Sequence, residues 1–188
     1  MNRADEIVNR MLIPQNSTNT LAEEVENGKW GRRNVIFQKI KQTDVSDFPE
    51  MSQDELILFF TGTYQLGQAI SYLAEMMDED GNIELQYLKV NENILKFLVR
   101  SRHINKKTYK CFIDYIPDKD GCDGISRYCC DCPNGLRTIG SCSHIAAIVY
   151  YLSHGRYTSK IIKPAEILTG IFKSNDVEPV INDDSDED

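Results

Sequence analysis

Apolar residues recur at helical spacing after Pro49, and this is the clearest pattern along the chain. Ser52 followed three residues later by Glu55 matches a capping box, which predicts that a helix begins there. The apolar positions continue as far as Met77 at the spacing of one helix face. Residues 61–63, Thr-Gly-Thr, interrupt this pattern with weak helix formers, so a split into two helices stays open.

Helical patterns also flank this central region. A charged segment over residues 21–40 is predicted to be helical, with an interruption near Gly28. Toward the C-terminus, apolar residues from Ile145 repeat at i, i+3, i+4 and i+7, which predicts a helix that Gly155 ends. A last amphipathic helix is predicted over residues 164–172.

The apolar period changes to two between the central helices and the C-terminal helix. Alternation over residues 85–88 and 94–99 predicts two strands, which the turn residues 90–93 join as a hairpin. Residues 109–115 predict a third strand and residues 125–132 a fourth. The predicted fold class is therefore α+β, with N-terminal helices, a small antiparallel sheet and a strand-loop-helix segment near the C-terminus.

These elements divide the chain of 188 residues into three parts. Residues 1–50 are predicted to form a helical extension that is partly loose, because residues 14–19 are turn formers. Residues 51–173 are predicted to hold the central helix, the sheet and the C-terminal helices. Residues 174–188 carry seven acidic residues and no basic one, which predicts a disordered acidic tail.

Composition excludes several protein classes. A hydrophobic fraction of 41% and a charged fraction of 27% are those of an ordinary globular domain. No apolar run approaches the roughly 18 residues of a membrane span, and the first twenty residues lack the features of a secretory signal. We therefore expect an intracellular protein with reduced thiols and no membrane partner. Because no nucleophile elbow, P-loop or dinucleotide motif is present, we also expect no enzyme activity and no small-molecule substrate.

The net charge of −8 hides a basic segment. Residues 100–173 carry 12 basic and 6 acidic residues, whereas the parts before and after them are acidic. A basic block in an acidic chain points to a partner that carries phosphate or other acidic groups. A solvated face that balances acidic neighbours explains the same charges equally well.

All six cysteines lie within the basic segment, between positions 111 and 142. The pairs Cys130-x-Cys132 and Cys142-x-His144 supply three thiolates and one imidazole, the ligand number of a closed tetrahedral zinc site. Cys130 and Cys132 are predicted to share one face of a strand, because side chains alternate along it. Cys142 and His144 precede the C-terminal helix, so a bound Zn²⁺ is predicted to fasten a strand to the start of that helix.

Other interpretations of the cysteines stay open. Cys129-x-x-Cys132 is also a zinc spacing, and only strand alternation favours Cys130 over Cys129. A disulfide set suits the even number of cysteines but not an intracellular protein. Buried free thiols explain Cys111 well and the paired spacings badly. Cys122, in a Gly-Cys-Asp-Gly turn, is interpreted as a bystander.

The segment Tyr128-Cys-Cys-Asp-Cys-Pro-Asn-Gly-Leu-Arg-Thr-Ile-Gly-Ser-Cys-Ser-His-Ile resembles the SWIM zinc finger, whose pattern is C-x-C, a variable gap and C-x-H. The resemblance implies a strand-strand-helix (ββα) unit over about residues 125–156. It also implies one structural Zn²⁺, with ligands Cys130, Cys132, Cys142 and His144.

A wider resemblance covers roughly residues 27–173. It is carried by Gly-Lys-Trp-Gly-Arg-Arg-Asn-Val-Ile-Phe from Gly28, Phe-Phe-Thr-Gly-Thr-Tyr-Gln-Leu from Phe59, Ser-Arg-His-Ile from Ser101 and His-Gly-Arg-Tyr from His154. These segments are similar to the C-terminal region of DDE-superfamily transposases and transposon-derived proteins. In that family the catalytic carboxylates lie in an upstream RNase H-like domain, so the resemblance implies a transposase tail without its active site.

Two functions follow, because SWIM modules bind either DNA or proteins. The first is nucleic-acid binding through phosphate contacts, in a protein with a nuclear location. The residues predicted to make these contacts are Arg100, Arg102, His103, Lys106, Lys107, Lys110, Arg127 and Arg137. The second is a protein-interaction module, with a transposase, chromatin-related or ubiquitin-related partner and no direct DNA contact.

Overall fold

The computed structural model of the protein describes residues 18–31, 36–78, 82–101, 104, 106–136 and 141–158. The elements in these residues are α1 (Thr20–Glu26), β1 (Gln38–Lys39), α2 (Gln53–Phe59), α3 (Thr63–Glu75), β2 (Gln86–Lys89), β3 (Ile94–Arg100), β4 (Thr108–Tyr115), β5 (Ile125–Cys130) and α4 (Ser143–Ser153). Short 3₁₀ turns cover Cys122–Gly124 and Gly155–Tyr157. The predicted α+β class is confirmed. The helix predicted over residues 164–172 and the acidic tail over residues 174–188 lie outside the described residues.

The five strands form one antiparallel sheet in the order β1-β2-β3-β4-β5, in which each strand pairs with the next along the chain. The predicted hairpin joins β2 to β3, and its turn is closed by the Val90 N–H, which donates to the Ile94 carbonyl at 2.8 Å. β5 ends at Cys130, two residues earlier than predicted. Antiparallel strands that are neighbours in sequence need only short connections, which suits the four strands, β2 to β5, that the alternation predicts.

The sheet has helices on both faces. The larger core lies between one face and the helices α2, α3 and α4, and Phe97, Ile113 and Ile148 are among its fully buried residues. A smaller core lies on the other face, where Leu21 of α1 packs with Phe112 and its neighbours. Because side chains alternate along a strand, consecutive residues of β4 and β5 belong to different cores. This alternation decides which cysteines meet.

The predicted capping box is present at α2. The Ser52 Oγ accepts the Glu55 N–H at 3.3 Å, and the Glu55 carboxylate accepts the Ser52 N–H at 2.8 Å. The interruption at residues 61–63 does divide the region into two helices. Thr61 has a φ of 59° and Gly62 a φ of 146°, both outside the range that a helix needs.

The helix predicted over residues 21–40 ends at Glu26, and residues 27–31 and 36–40 are not helical. Gly28 adopts a φ of 75°, and its N–H donates to the Val25 carbonyl at 3.0 Å while the Lys29 N–H donates to the Glu24 carbonyl at 3.0 Å. This pair of bonds is a Schellman motif, which ends a helix at its glycine. Residues 38–39 then form β1 at the edge of the sheet, so this part of the predicted helix is a strand.

Arg127 of β5 ties α1 to the sheet. Its guanidinium donates to the Asp114 carboxylate of β4 at 2.6 Å and to the Glu24 carboxylate of α1 at 3.0 Å. The hydrogen bond from Arg127 holds the pKa of Glu24 at about 2, well below its usual value of 4.5. The short helix α1 therefore depends on a charged anchor as well as on Leu21.

This anchor predicts a specific loss of stability in acid. Because the pKa of Glu24 is depressed in the folded protein, the contribution of its carboxylate is complete above about pH 4.5 and disappears as the pH falls toward about 2. Glu24→Gln should remove about 1 kcal/mol or less at pH 7 and should flatten the fall in unfolding free energy between pH 6 and pH 3. Urea denaturation at both pH values measures this, with the exposed Glu23→Gln as the control. An equal pH dependence in both variants would count against the anchor.

Candidate metal centre

Four side chains converge where β5 ends and α4 begins. Cys130 is the last residue of β5, Cys132 lies in the turn that follows, Cys142 is the N-cap of α4 and His144 is the second residue of that helix. Their ligand atoms, three Sγ and one imidazole nitrogen, all lie within 4.8 Å of one another, and all four residues are buried. The structure thus brings together the four predicted zinc ligands, and this Cys₃His cluster can hold a metal ion.

The turn after β5 returns Cys132 to the cluster. The Cys130 N–H donates to the Gly135 carbonyl at 3.0 Å, and the Gly135 N–H donates to the Cys132 carbonyl at 2.9 Å. A Cβ atom at position 135 would lie 2.0 Å from the Cys130 carbonyl oxygen, so only glycine fits. Since β5 ends at Cys130, the prediction that both cysteines share one strand face is wrong. A tight turn, and not strand alternation, aligns Cys132 with Cys130.

His144 is held by aromatic neighbours on two sides. Its ring packs edge-on against Tyr72 of α3, with centroids 5.0 Å apart, and against Tyr109 of β4 at 4.7 Å. The Tyr72 hydroxyl donates to the Arg100 carbonyl, which anchors that ring to β3. These contacts fix the direction of the imidazole, as metal sites require.

The distances suit tetrahedral zinc. The Nδ1 atom of His144 lies 3.7 Å from the Sγ atom of Cys130. Zinc bonds of about 2.3 Å to sulfur and about 2.0 Å to nitrogen, at the tetrahedral angle, place two such atoms about 3.5 Å apart. Thiolate and imidazole are also the ligand types that zinc prefers over magnesium or calcium. The residues present therefore fit Zn²⁺.

The three cluster thiols share hydrogen bonds, and their acidities diverge. Hydrogen bonds from Cys130 and then from Cys142 lower the pKa of the Cys132 thiol. The pKa of Cys142 is raised, first by its hydrogen bond with Cys130. A divalent cation placed among these sulfurs replaces the protons and stabilises all three thiolates.

The remaining cysteines lie outside the cluster. Cys129 faces the smaller core beside α1, where burial raises the pKa of its thiol to about 12. Cys122 donates to the Glu55 carbonyl at 3.2 Å. Cys111 is fully buried, and its Sγ lies 3.4 Å from the Sγ of Cys130. All six cysteines are free thiols, so the disulfide interpretation finds no support here. The alternative ligand Cys129 is not part of the cluster.

The predicted nucleic-acid contacts fall into three groups. Four exposed residues lie in or near the turn that connects the end of β3 to the start of β4: Arg100, Lys106, Lys107 and Lys110. Arg127 belongs to the ion pairs described above, which favours a structural role for its guanidinium. Three residues lie outside the described part of the chain: Arg102, His103 and Arg137.

Lys96 is a basic residue that the sequence analysis missed. It lies opposite Phe112, while Leu98 lies opposite Lys110 and Arg100 opposite Thr108. Residues two apart share a strand face, so Lys96, Arg100 and Lys110 lie on the same face of the sheet. The spacing of Lys96 from Arg100 along the predicted strand was the signal that could have found it.

Comparison of the chain with family models, with curated proteins and with solved structures found no match. Among the described residues, none of the helices has the length and apolar character that crossing a membrane requires.

Gly135 offers a test of the turn that carries Cys132. Gly135→Ala should weaken Zn²⁺ binding by about 10-fold or more, because the added Cβ pushes the turn away from Cys130 and misplaces the Cys132 sulfur. A competition titration with a chromophoric chelator measures the affinity.

Gly67→Ala is the matched control for Gly135→Ala. Gly67 lies within α3, and a Cβ there meets nothing within 4 Å. This variant should bind zinc as the wild type does and gain up to about 1 kcal/mol of stability from its higher helix propensity. Equal zinc affinity in Gly135→Ala and Gly67→Ala would show that the turn does not position the ligand.

Proposed function

We propose that this protein is a zinc-dependent binding module of the SWIM type, in which Cys130, Cys132, Cys142 and His144 hold one structural Zn²⁺. The observation that carries the proposal is the convergence of these four buried ligand atoms within 4.8 Å. Support for the SWIM type comes from the C-x-C and C-x-H spacing and from the order β4, β5, loop and α4. The likeness to transposase C-terminal regions adds a nuclear, non-catalytic role to the proposal.

A structural role suits this ligand set better than a catalytic one. A catalytic zinc keeps one coordination position for water or substrate, whereas three sulfurs and one imidazole occupy all four. The ligands are also buried, with exposed fractions between 1% for Cys130 and 8% for His144, so a substrate has little access. The chemistry that zinc supplies here is the cross-linking of two elements.

Zinc binding should therefore be coupled to the local fold. Structural zinc in small modules contributes an apparent binding free energy of about 10–16 kcal/mol at neutral pH, comparable with the whole stability of a domain. The ion would join the end of β5 to the start of α4. Without it, three thiols face one another in the core, and the end of β5 and the start of α4 lose the link that the ion would supply.

Metal analysis tests the proposal. Wild-type protein purified under reducing conditions should contain about one zinc per chain, and Cys142→Ser should contain much less. Cys129→Ser is the matched control, because this cysteine is buried one residue before a ligand but faces the other core, and it should keep its zinc. A chelator should lower the Tm of the wild type. Metal-free wild-type protein with an unchanged Tm would refute the zinc module.

We further propose that the basic face at the end of β3 and β4 binds nucleic-acid phosphates. Burial lowers the pKa of Lys96, repulsion from the neighbouring Lys110 lowers it further, and attraction to the Asp131 carboxylate raises it. A phosphate placed near the two ammonium groups would reduce the repulsion between them. Exposed Arg100 extends the same face, and Lys106 and Lys107 extend it into the adjoining turn. Contacts of this kind give affinity without reading bases.

Salt dependence tests the nucleic-acid proposal. Wild-type affinity for duplex DNA should fall steeply between 50 and 200 mM salt, and each phosphate contact contributes about 0.9 to the slope of log K against log salt. The double variant Lys96→Gln/Lys110→Gln should lower this slope by about 2. Lys119→Gln is the control, because this exposed lysine follows the far end of β4. Absence of binding at 50 mM salt, with zinc present, would contradict the proposal.

One observation favours protein binding as the second candidate function. A cavity of about 290 Å³ opens between α1, β4 and the turn after β5. Its lining includes the apolar residues Val25, Phe112 and Leu136, and Leu136 is 53% exposed. An exposed leucine at the rim of an apolar cavity is a common feature of protein-binding surfaces. Failure of DNA binding in a zinc-loaded protein would favour this function.

A further inference from the structure

We propose that Cys111 donates a hydrogen bond from its S–H group to the metal-bound sulfur of Cys130 and so positions that ligand. This inference rests on the proposed zinc function. Cys111 lies in β4, outside the four-residue cluster and outside the motif whose spacing the sequence shows. Its role would be that of a positioning residue, because it acts on the metal through Cys130.

The pairing of β4 with β5 places the two sulfurs together. Cys111 lies directly opposite Cys130 in the antiparallel register, and the sulfur atoms are 3.4 Å apart. The Cys130 N–H donates to Gly135 instead of to β4, so this is the non-hydrogen-bonded kind of cross-strand pair. In such pairs the side chains approach most closely. The contact is thus built into the sheet and does not depend on a flexible side chain.

Charge explains why a donor is needed at this point. Zn²⁺ with three thiolates and one neutral imidazole carries a net charge of about −1, and this charge is buried. A buried negative charge is costly unless hydrogen-bond donors face it. Cys130 as a whole residue is 1% exposed, so water has little access to its sulfur. The S–H group of Cys111, itself fully buried, is placed to supply the donor.

Cys111 can also be explained as a small apolar residue that fills the core, since it packs within the larger cluster. The two roles respond differently to substitution. Valine fills the space of the thiol but offers no donor, whereas serine keeps a donor of nearly the same size. A packing role predicts that valine is tolerated better than serine. A donor role predicts the reverse at the metal.

Cobalt substitution supplies a readout that packing alone does not move. Co²⁺ takes the same tetrahedral sites as Zn²⁺, and its sulfur-to-metal charge-transfer bands report electron density on the sulfurs. A hydrogen bond withdraws density from the Cys130 sulfur. Cys111→Val should therefore shift these bands to lower energy and weaken Zn²⁺ binding by about 10-fold or more, while Cys111→Ser should keep both close to the wild type.

Cys129→Val is the matched control. Cys129 is a buried cysteine next to Cys130 in β5, but its side chain faces the smaller core on the other side of the sheet. This variant should leave the bands and the affinity unchanged. Wild-type bands and affinity in Cys111→Val, or an equal change in Cys111→Val and Cys111→Ser, would overturn the donor role while the zinc module stands. A wild-type chain that binds neither Co²⁺ nor Zn²⁺ would overturn the proposed function and this inference together.

Discussion

Three sulfurs and one imidazole nitrogen buried within 4.8 Å of one another are the constraint on which the second half of the structure depends. Such groups are unfavourable in a core unless their protons or charges are matched by partners. Apolar packing places α4 under the sheet, because Ile145 and Ile148 are fully buried there. The proposed Zn²⁺ would fix how the start of α4 faces the end of β5. Core packing and the proposed metal ligation would then constrain the same junction from two sides.

The alternation of side chains along β5 gives neighbouring cysteines opposite roles. Cys130 points into the larger core beside α4, and Cys129 points into the smaller core beside α1. The same alternation in β4 separates Cys111 from Phe112. Two residues of one type, adjacent in sequence, thus have different chemistry because a sheet has two faces. A shift of one residue in the β4–β5 register would exchange their roles.

Local signals predicted much of this fold. The Ser52–Glu55 capping box depends on residues three apart, and the β2–β3 hairpin depends on one turn, so both were readable from sequence. The structure of residues 21–40 was predicted wrongly in part. Their apolar residues suit either a helix face or a strand. Gly28 ends the helix, and pairing with β2 makes residues 38–39 a strand. Pairing with a distant strand leaves no mark on local spacing.

The site shows the same division between local and distant information. The four ligands were predicted from two short spacings, although the stated reason for Cys132 was wrong and a turn through Gly135 replaced the strand face. Cys111 carried no spacing signal, because its contact with Cys130 exists only through the register of β4 with β5.

Arg127 and Lys110 show that charge alone does not identify a binding residue. They lie in the neighbouring strands β5 and β4, and composition treats both simply as basic residues. The structure pairs Arg127 with the carboxylates of Asp114 and Glu24, whereas Lys110 lies beside a second ammonium group, Lys96, and near one carboxylate, Asp131. An arginine with two carboxylates is already neutralised and adds little to a phosphate surface. Under the proposed nucleic-acid function, two lysines that repel each other attract a phosphate more strongly than an arginine held by two carboxylates, so the ion pairs of each cation indicate its role.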